Sequence, residues 1–167
     1  MTDARVVDTG PISGNGRQLI NVEAAKVSGP LSLQGEFFYC LTHAGEGGDP
    51  NFWGFYAYAS YFLTGEHRRY DLSRGRFTGI KRKEHLHPFK AEWGAWELGL
   101  RFSYIDLNNE EIRGGRAGNL TAGLNWYIKS KGRVMFNYIH GKVWDRESPP
   151  VDGNNIDIFQ IRFQFTF

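Results

Sequence analysis

IDIFQIRFQFTF, residues 156–167, is the stretch whose reading decides the fold. Phe159, Ile161, Phe163, Phe165 and Phe167 share one parity, and Ile158, Gln160, Arg162, Gln164 and Thr166 share the other. Successive side chains of a strand point to opposite faces, so this segment has one aromatic face and one mostly polar face. An edge strand of a soluble sandwich is the plainest reading of such a pattern. A soluble domain, however, has little reason to end on large apolar side chains in strict alternation. A transmembrane β-barrel has one: lipid covers one face of each strand, and water or polar filling covers the other.

Composition is consistent with that reading. The chain has 167 residues, enough for one domain, with 21 Gly, 13 Phe, 8 Tyr and 5 Trp, a mixture that favours strands and tight turns. A net charge of +2 is too small to argue for nucleic acid or for an anionic membrane surface. The single Cys40 leaves no intrachain disulfide to read. No apolar run is long enough for a transmembrane helix, which says nothing against barrel strands, whose hydropathy signal is weak. The opening residues MTDARVVDTG lack the apolar core of a signal peptide. A barrel must cross the inner membrane, so Met1 is expected not to be the start of a precursor.

Working backwards and forwards from the last strand, the alternation recurs. Residues 4–8 read as a short strand, and 18–27 as a second with Ile20, Val22 and Ala24 on one face. Leu31 to Thr42 puts Leu33, Phe37 and Tyr39 outward and Gln34, Glu36 and Cys40 inward. Phe52 to Leu63 does the same with Trp53 and Phe55 against Tyr56 and Tyr58. Gly94 to Asp106 alternates Trp96, Leu98, Leu100, Phe102 and Tyr104 with Glu97, Gly99, Arg101 and Ser103. Asn119 to Ser130 and Arg133 to Trp144 complete the set. Turns at 28–30 and 130–132 are short, whereas 43–51, 108–118 and 145–155 are long, the asymmetry of outer-membrane barrels. Thr64 to Trp93 breaks the pattern with a basic run from Arg68 to Lys83; parity makes it an excursion from the short-turn side, with a short hairpin around Arg76 to Lys81. The expected fold is all-β: an antiparallel transmembrane β-barrel of about eight strands, one domain over 1–167, both termini on the periplasmic side, and a solvated basic excursion at 64–93.

The terminal Phe167, with Phe165 and Phe163 at alternate positions before it, resembles the C-terminal signal by which bacterial outer-membrane barrels are recognised for insertion. Longer segments carry a more specific likeness. VDTGPI (7–12), EAAKVSGPLSLQGEFF (23–38), ASYFLTGEHRRYD (59–71), GAWELGLRFSYIDLN (94–108), IRGGRAGNLTAGLNWYI (112–128), VMFNYIH (134–140) and DIFQIRFQFTF (157–167) resemble, in order and spacing, the phosphate-selective porins O and P of Gram-negative bacteria. The resemblance implies an outer-membrane location, a sixteen-stranded wall of which this chain is the C-terminal half, trimeric assembly, and a pore lined by anion-binding arginines and lysines. The family's constriction loop, with its phosphate-binding lysines, falls in the half that is missing, so no residue here inherits that role.

Parity then selects the candidates. The inward basic residues are Arg101, Lys129 and Arg162, and the inward acids are Glu23, Glu36 and Glu97. Guanidiniums stay charged and present several donors, which suits small anions; the opposing reading has Arg101 and Arg162 paired with Glu97 or Glu36 as wall filling. His85 and His87 have metal-ligand spacing, and Asp106, Glu110 and Glu111 could hold a divalent cation at the rim, but solvated loop is the plainer reading of both and no metal is expected. No nucleophile–base arrangement or phosphate loop occurs, so neither an enzyme nor a cofactor is expected. The expectation is a channel for passive diffusion of small anions such as phosphate. An accessory barrel without a pore, its interior filled by Phe38, Tyr56, Tyr58 and Tyr127, is the alternative. Expected partners are outer-membrane lipid, small anions, and either further copies or a second chain completing the barrel.

Overall fold

A computed structural model of the chain describes residues 6–44, 48–81, 94–109, 112–128, 132–147 and 154–165, and every regular element in them is a strand. They are β1 (Gly16–Ser28), β2 (Leu31–His43), β3 (Asn51–Phe62), β4 (His67–Asp71), β5 (Arg76–Lys81), β6 (Ala95–Asn109), β7 (Ile112–Ile128), β8 (Gly132–Arg146) and β9 (Asn154–Phe165). Seven of them form one antiparallel sheet in the order β1-β2-β3-β6-β7-β8-β9, and β4 and β5 form a separate hairpin. Lys129, Phe167, His85, His87, Glu110 and Glu111 lie outside the described residues.

The register follows from the parity of the sequence. Leu31, Tyr61, Leu98, Leu124, Phe136 and Ile161 stand in one row across β2 to β9, all on the outer face. In that row β1 ends at Ser28, while β9 runs four residues further, from Ile161 to Phe165. Such a stagger of strand ends is the shear that a closing barrel requires. The sheet is nevertheless open, because β1 pairs only with β2 and β9 only with β8 among the described residues.

Two aromatic bands mark the outer face. Trp53, Tyr104 and Trp144 make one, with ring centroids 5.3 Å apart for Trp53–Tyr104 and 6.5 Å for Tyr104–Trp144. Trp96 and Trp126, stacked at 5.3 Å, make the other. Tyr104 and Trp96 are eight residues apart on β6. That separation is about 26 Å along a strand, and about 20 Å along the membrane normal at the usual barrel tilt, near the height of a barrel's apolar band. Leu98, Leu100 and Phe102 fill the interval and are exposed.

The connections define two ends. At the turn end, Gly29 at φ +55° allows the tight link from β1 to β2. At the loop end lie the C-terminal ends of β2, β6 and β8 and the N-terminal ends of β3, β7 and β9.

Three expectations are corrected. Residues 6–8 are a bend, not a strand, and residues 4 and 5 lie outside the described residues. The Asp8 amide donates to the Gly114 carbonyl at 2.9 Å and Arg146 Nη1 to the Val6 carbonyl at 3.2 Å, so this segment sits at the loop end rather than the periplasmic side. Two valines amid turn residues are too short a run to span. Second, of the loop expected over 108–118, residues 108–109 and 112–118 are strand: β6 and β7 remain paired as far as Asn109↔Ile112, past a bulge between Asp106 and Asn108. Polar sequence hid these strand extensions, since strands beyond the apolar band need no hydrophobic alternation. Third, the start of the basic excursion is not simply solvated. It folds into the β4–β5 hairpin, which packs against β1 and β2 over the inner face.

Candidate luminal site

The inner face gathers the candidates into two unlike regions. Towards its middle, Glu23, Glu36, Tyr56 and Ser103 stand in one row, adjoining the row of Gln34, Tyr58 and Arg101. Gln34 Nε2 donates to Glu23 Oε1 and to Tyr56 Oη, both at 3.0 Å, and Asn21 Nδ2 donates to Glu36. Arg101 lies over the Tyr56 ring, 4.6 Å from its centroid, and its Nη1 donates to Ser103 Oγ at 3.4 Å. It pairs with neither Glu97 nor Glu36. The aromatic face holds the guanidinium without neutralising it, and Arg101 stays exposed. Arg162 is likewise exposed on the inner face of β9, opposite Met135, and forms no ion pair among the described residues.

Near the turn end the inner face of the wall is covered by the β4–β5 hairpin. Glu97 is fully buried, yet its carboxylate is completely partnered. Arg68, from the hairpin, donates to Oε1 through Nε at 2.9 Å and Nη2 at 2.6 Å. On the wall, Asn125 Nδ2 at 3.0 Å and Tyr127 Oη at 2.7 Å donate to Oε2. Arg133 approaches Oε2 at 4.0 Å, its guanidinium 4.7 Å above the Tyr127 ring. Burial pulls the pKa of Arg68 down, but the Glu97 charge and its hydrogen bonds more than reverse this, and the pKa lies above the usual guanidinium value. An unpaired charge in such a place would be strongly disfavoured. Phe62, fully buried beside Tyr127, seals the floor of the cluster.

Sequence reasoning placed Glu97, but not its partners. Asn125 and Tyr127 were within reach, since they share its parity on the neighbouring strand. Arg133 carries the same signal on β8. Arg68 had none, because its segment has no periodicity to say where it folds. At the loop end, Asp106 is likewise paired rather than vacant: Arg116 Nε donates to it at 2.9 Å, and Arg116 Nη1 to Asp145 at 2.8 Å.

Chemically, the arrangement offers an inner surface on which the guanidiniums of Arg101 and Arg162 are accessible, and a buried carboxylate held by Arg68 and Arg133 at one end. Among the described residues no cluster of three or more metal-ligating side chains occurs.

The comparisons with known proteins bear on the fold and the family. Porin O of Pseudomonas aeruginosa is 28% identical to the chain over 157 residues, covering 87% of it and 34% of that protein. An uncharacterized protein of Caulobacter vibrioides is 30% identical over 137 residues, covering 82% of the chain and 27% of that protein. The chain thus spans about a third of the length of the curated relatives it matches. A family model described as phosphate-selective porin O and P matches all of residues 1–167, and the chain belongs to that family of outer-membrane β-barrel proteins.

Proposed function

We propose that this chain forms part of the wall of an outer-membrane channel through which small anions such as phosphate diffuse passively. The observation that carries the reading is the exposure of Arg101 and Arg162 on the inner face with no carboxylate neutralising either one among the described residues. Guanidiniums in such positions attract anions and exchange hydrogen bonds with them as they pass. Glu23 and Glu36 line the same surface and moderate its field. The family description and the name of the Pseudomonas relative support phosphate as the anion. Passive conduction needs no nucleophile or cofactor, and residues 1–167 act in it as one domain, a wall with a hairpin over its inner face.

The test is Arg162→Glu in the assembled protein, measured as reversal potential in a salt gradient across a planar bilayer. Anion preference should fall; unchanged preference with conductance intact would refute the role given to Arg162.

The open sheet bears on assembly. Unpaired backbone groups along β1 and β9 each cost several kcal/mol in hydrocarbon, so neither edge is left bare in a membrane. Strands outside residues 1–167, from the same polypeptide or a second one, complete the barrel in this account. Cysteines at Asn21 and Gln160, with Cys40 replaced by Ser, check it: crosslinking within one 167-residue chain, in a monomeric particle, would contradict it.

A further inference from the structure

The β4–β5 hairpin leaves the wall at the turn end and comes back over the inner face. Its root is fixed: the Leu63 amide donates to the Trp96 carbonyl at 2.9 Å, and the Trp96 amide to Thr64 Oγ1 at 3.1 Å. Beyond the root, Arg68 ties the hairpin to the wall. Its guanidinium carbon lies 5.7 Å from the centroid of Tyr58, on β3, and 5.6 Å from that of Phe77, on β5, while its nitrogens grip Glu97 on β6. One side chain therefore joins both hairpin strands to two wall strands.

The dependence runs in both directions. Glu97 has no solvent, and the wall offers it two neutral donors and Arg133 at 4.0 Å; the close, two-nitrogen ion pair comes from the hairpin. Charge-assisted, two-nitrogen pairing is the strong form of the interaction. Arg68 in turn has no other carboxylate partner among the described residues. Past this anchor, β4 lies against β1 and β2; Arg69 is exposed, and Arg74 is exposed with its Nε 3.8 Å from Asp71 Oδ2.

We infer that Glu97 is the positioning residue that holds the β4–β5 hairpin within the lumen, and that through it Glu97 sets the free cross-section and the cationic charge of the channel at its turn end. For its effect on conduction this rests on the channel reading; for the position of the hairpin it does not. When the Arg68–Glu97 pair is broken, the hairpin is released from the inner face. The passage widens, and Arg69 no longer stands over it, so conductance rises and anion preference weakens.

The experiment uses nitroxide labels at Leu72, in the exposed turn between β4 and β5, and at Gln160, on the inner face of β9, with Cys40 replaced by Ser. Distances are read by double electron–electron resonance in the reconstituted protein, alongside single-channel conductance of the unlabelled variants. Arg68→Ala leaves Glu97 its Asn125, Tyr127 and Arg133 partners, so the wall is retained even where Glu97→Ala fails to assemble. The parent should give a narrow Leu72–Gln160 distribution, and Arg68→Ala a broad one with higher conductance and a reversal potential shifted towards zero. Arg68→Lys should restore part of each. A distribution that stays narrow in Arg68→Ala overturns the assignment of Glu97. A broadened distribution with unchanged conductance overturns the claim that the hairpin sets the passage. A parent that does not conduct, with the distance change intact, overturns the channel reading and leaves the anchor standing.

Discussion

The two faces of β6 carry opposite chemistry within a single residue's rise. On the outer face Leu98, Leu100 and Phe102 are 46%, 52% and 43% exposed, while Glu97 on the inner face is 0% exposed. In a soluble domain that distribution would be inverted, with leucines inside and the carboxylate in water. Here the outer surroundings are hydrocarbon, so apolar exposure is favourable, and the buried charge of Glu97 is managed inside by pairing it with Arg68. The lesson is that exposure alone says nothing about stability until the solvent on each face is known.

The sharpest way to break the comparison is to exchange the chemistry of two adjacent positions, one on each face. Leu100→Arg introduces a guanidinium into the apolar band, and near the midplane that costs roughly 2–4 kcal/mol. Urea unfolding in liposomes measures it. The converse change one residue away, Arg101→Leu, removes a side chain that forms no ion pair among the described residues; it should fall within the ~0.5 kcal/mol typical of surface substitutions. Equal losses at the two positions would mean that the faces are wrongly assigned.

Legibility in the sequence followed that same division. The wall strands were readable because lipid on one side enforces strict alternation: IDIFQIRFQFTF and GAWELGLRF state their two faces residue by residue. Alternation stops where the apolar band stops. That is why Ile112 to Gly118 read as a loop although it is part of β7. It is also why Val6 to Asp8, two valines and an aspartate, read as a strand although they form a bend held to Gly114 and Arg146. Inward positions of Glu23, Glu36, Glu97, Arg101 and Arg162 came from parity alone. Their partners did not, since parity fixes a face but not what folds over it. Arg101 stacks on Tyr56 instead of pairing with an acid, and the Glu97 carboxylate is taken by Arg68. Arg68 lies in a stretch where neither period nor composition distinguishes a luminal hairpin from a solvated loop.

The central claim is that, from Leu98 to Ser103 of β6, odd-numbered residues line an aqueous interior and even-numbered ones face lipid. Single cysteines at Leu98, Gly99, Leu100, Arg101, Phe102 and Ser103, in a Cys40→Ser background, test it most directly in the reconstituted protein. A membrane-impermeant maleimide should label positions 99, 101 and 103. Nitroxide-bearing lipids should quench a fluorophore attached at 98, 100 and 102 and leave the other three bright. Six positions that label and quench alike would contradict the account, because no wall between water and lipid could then run along β6.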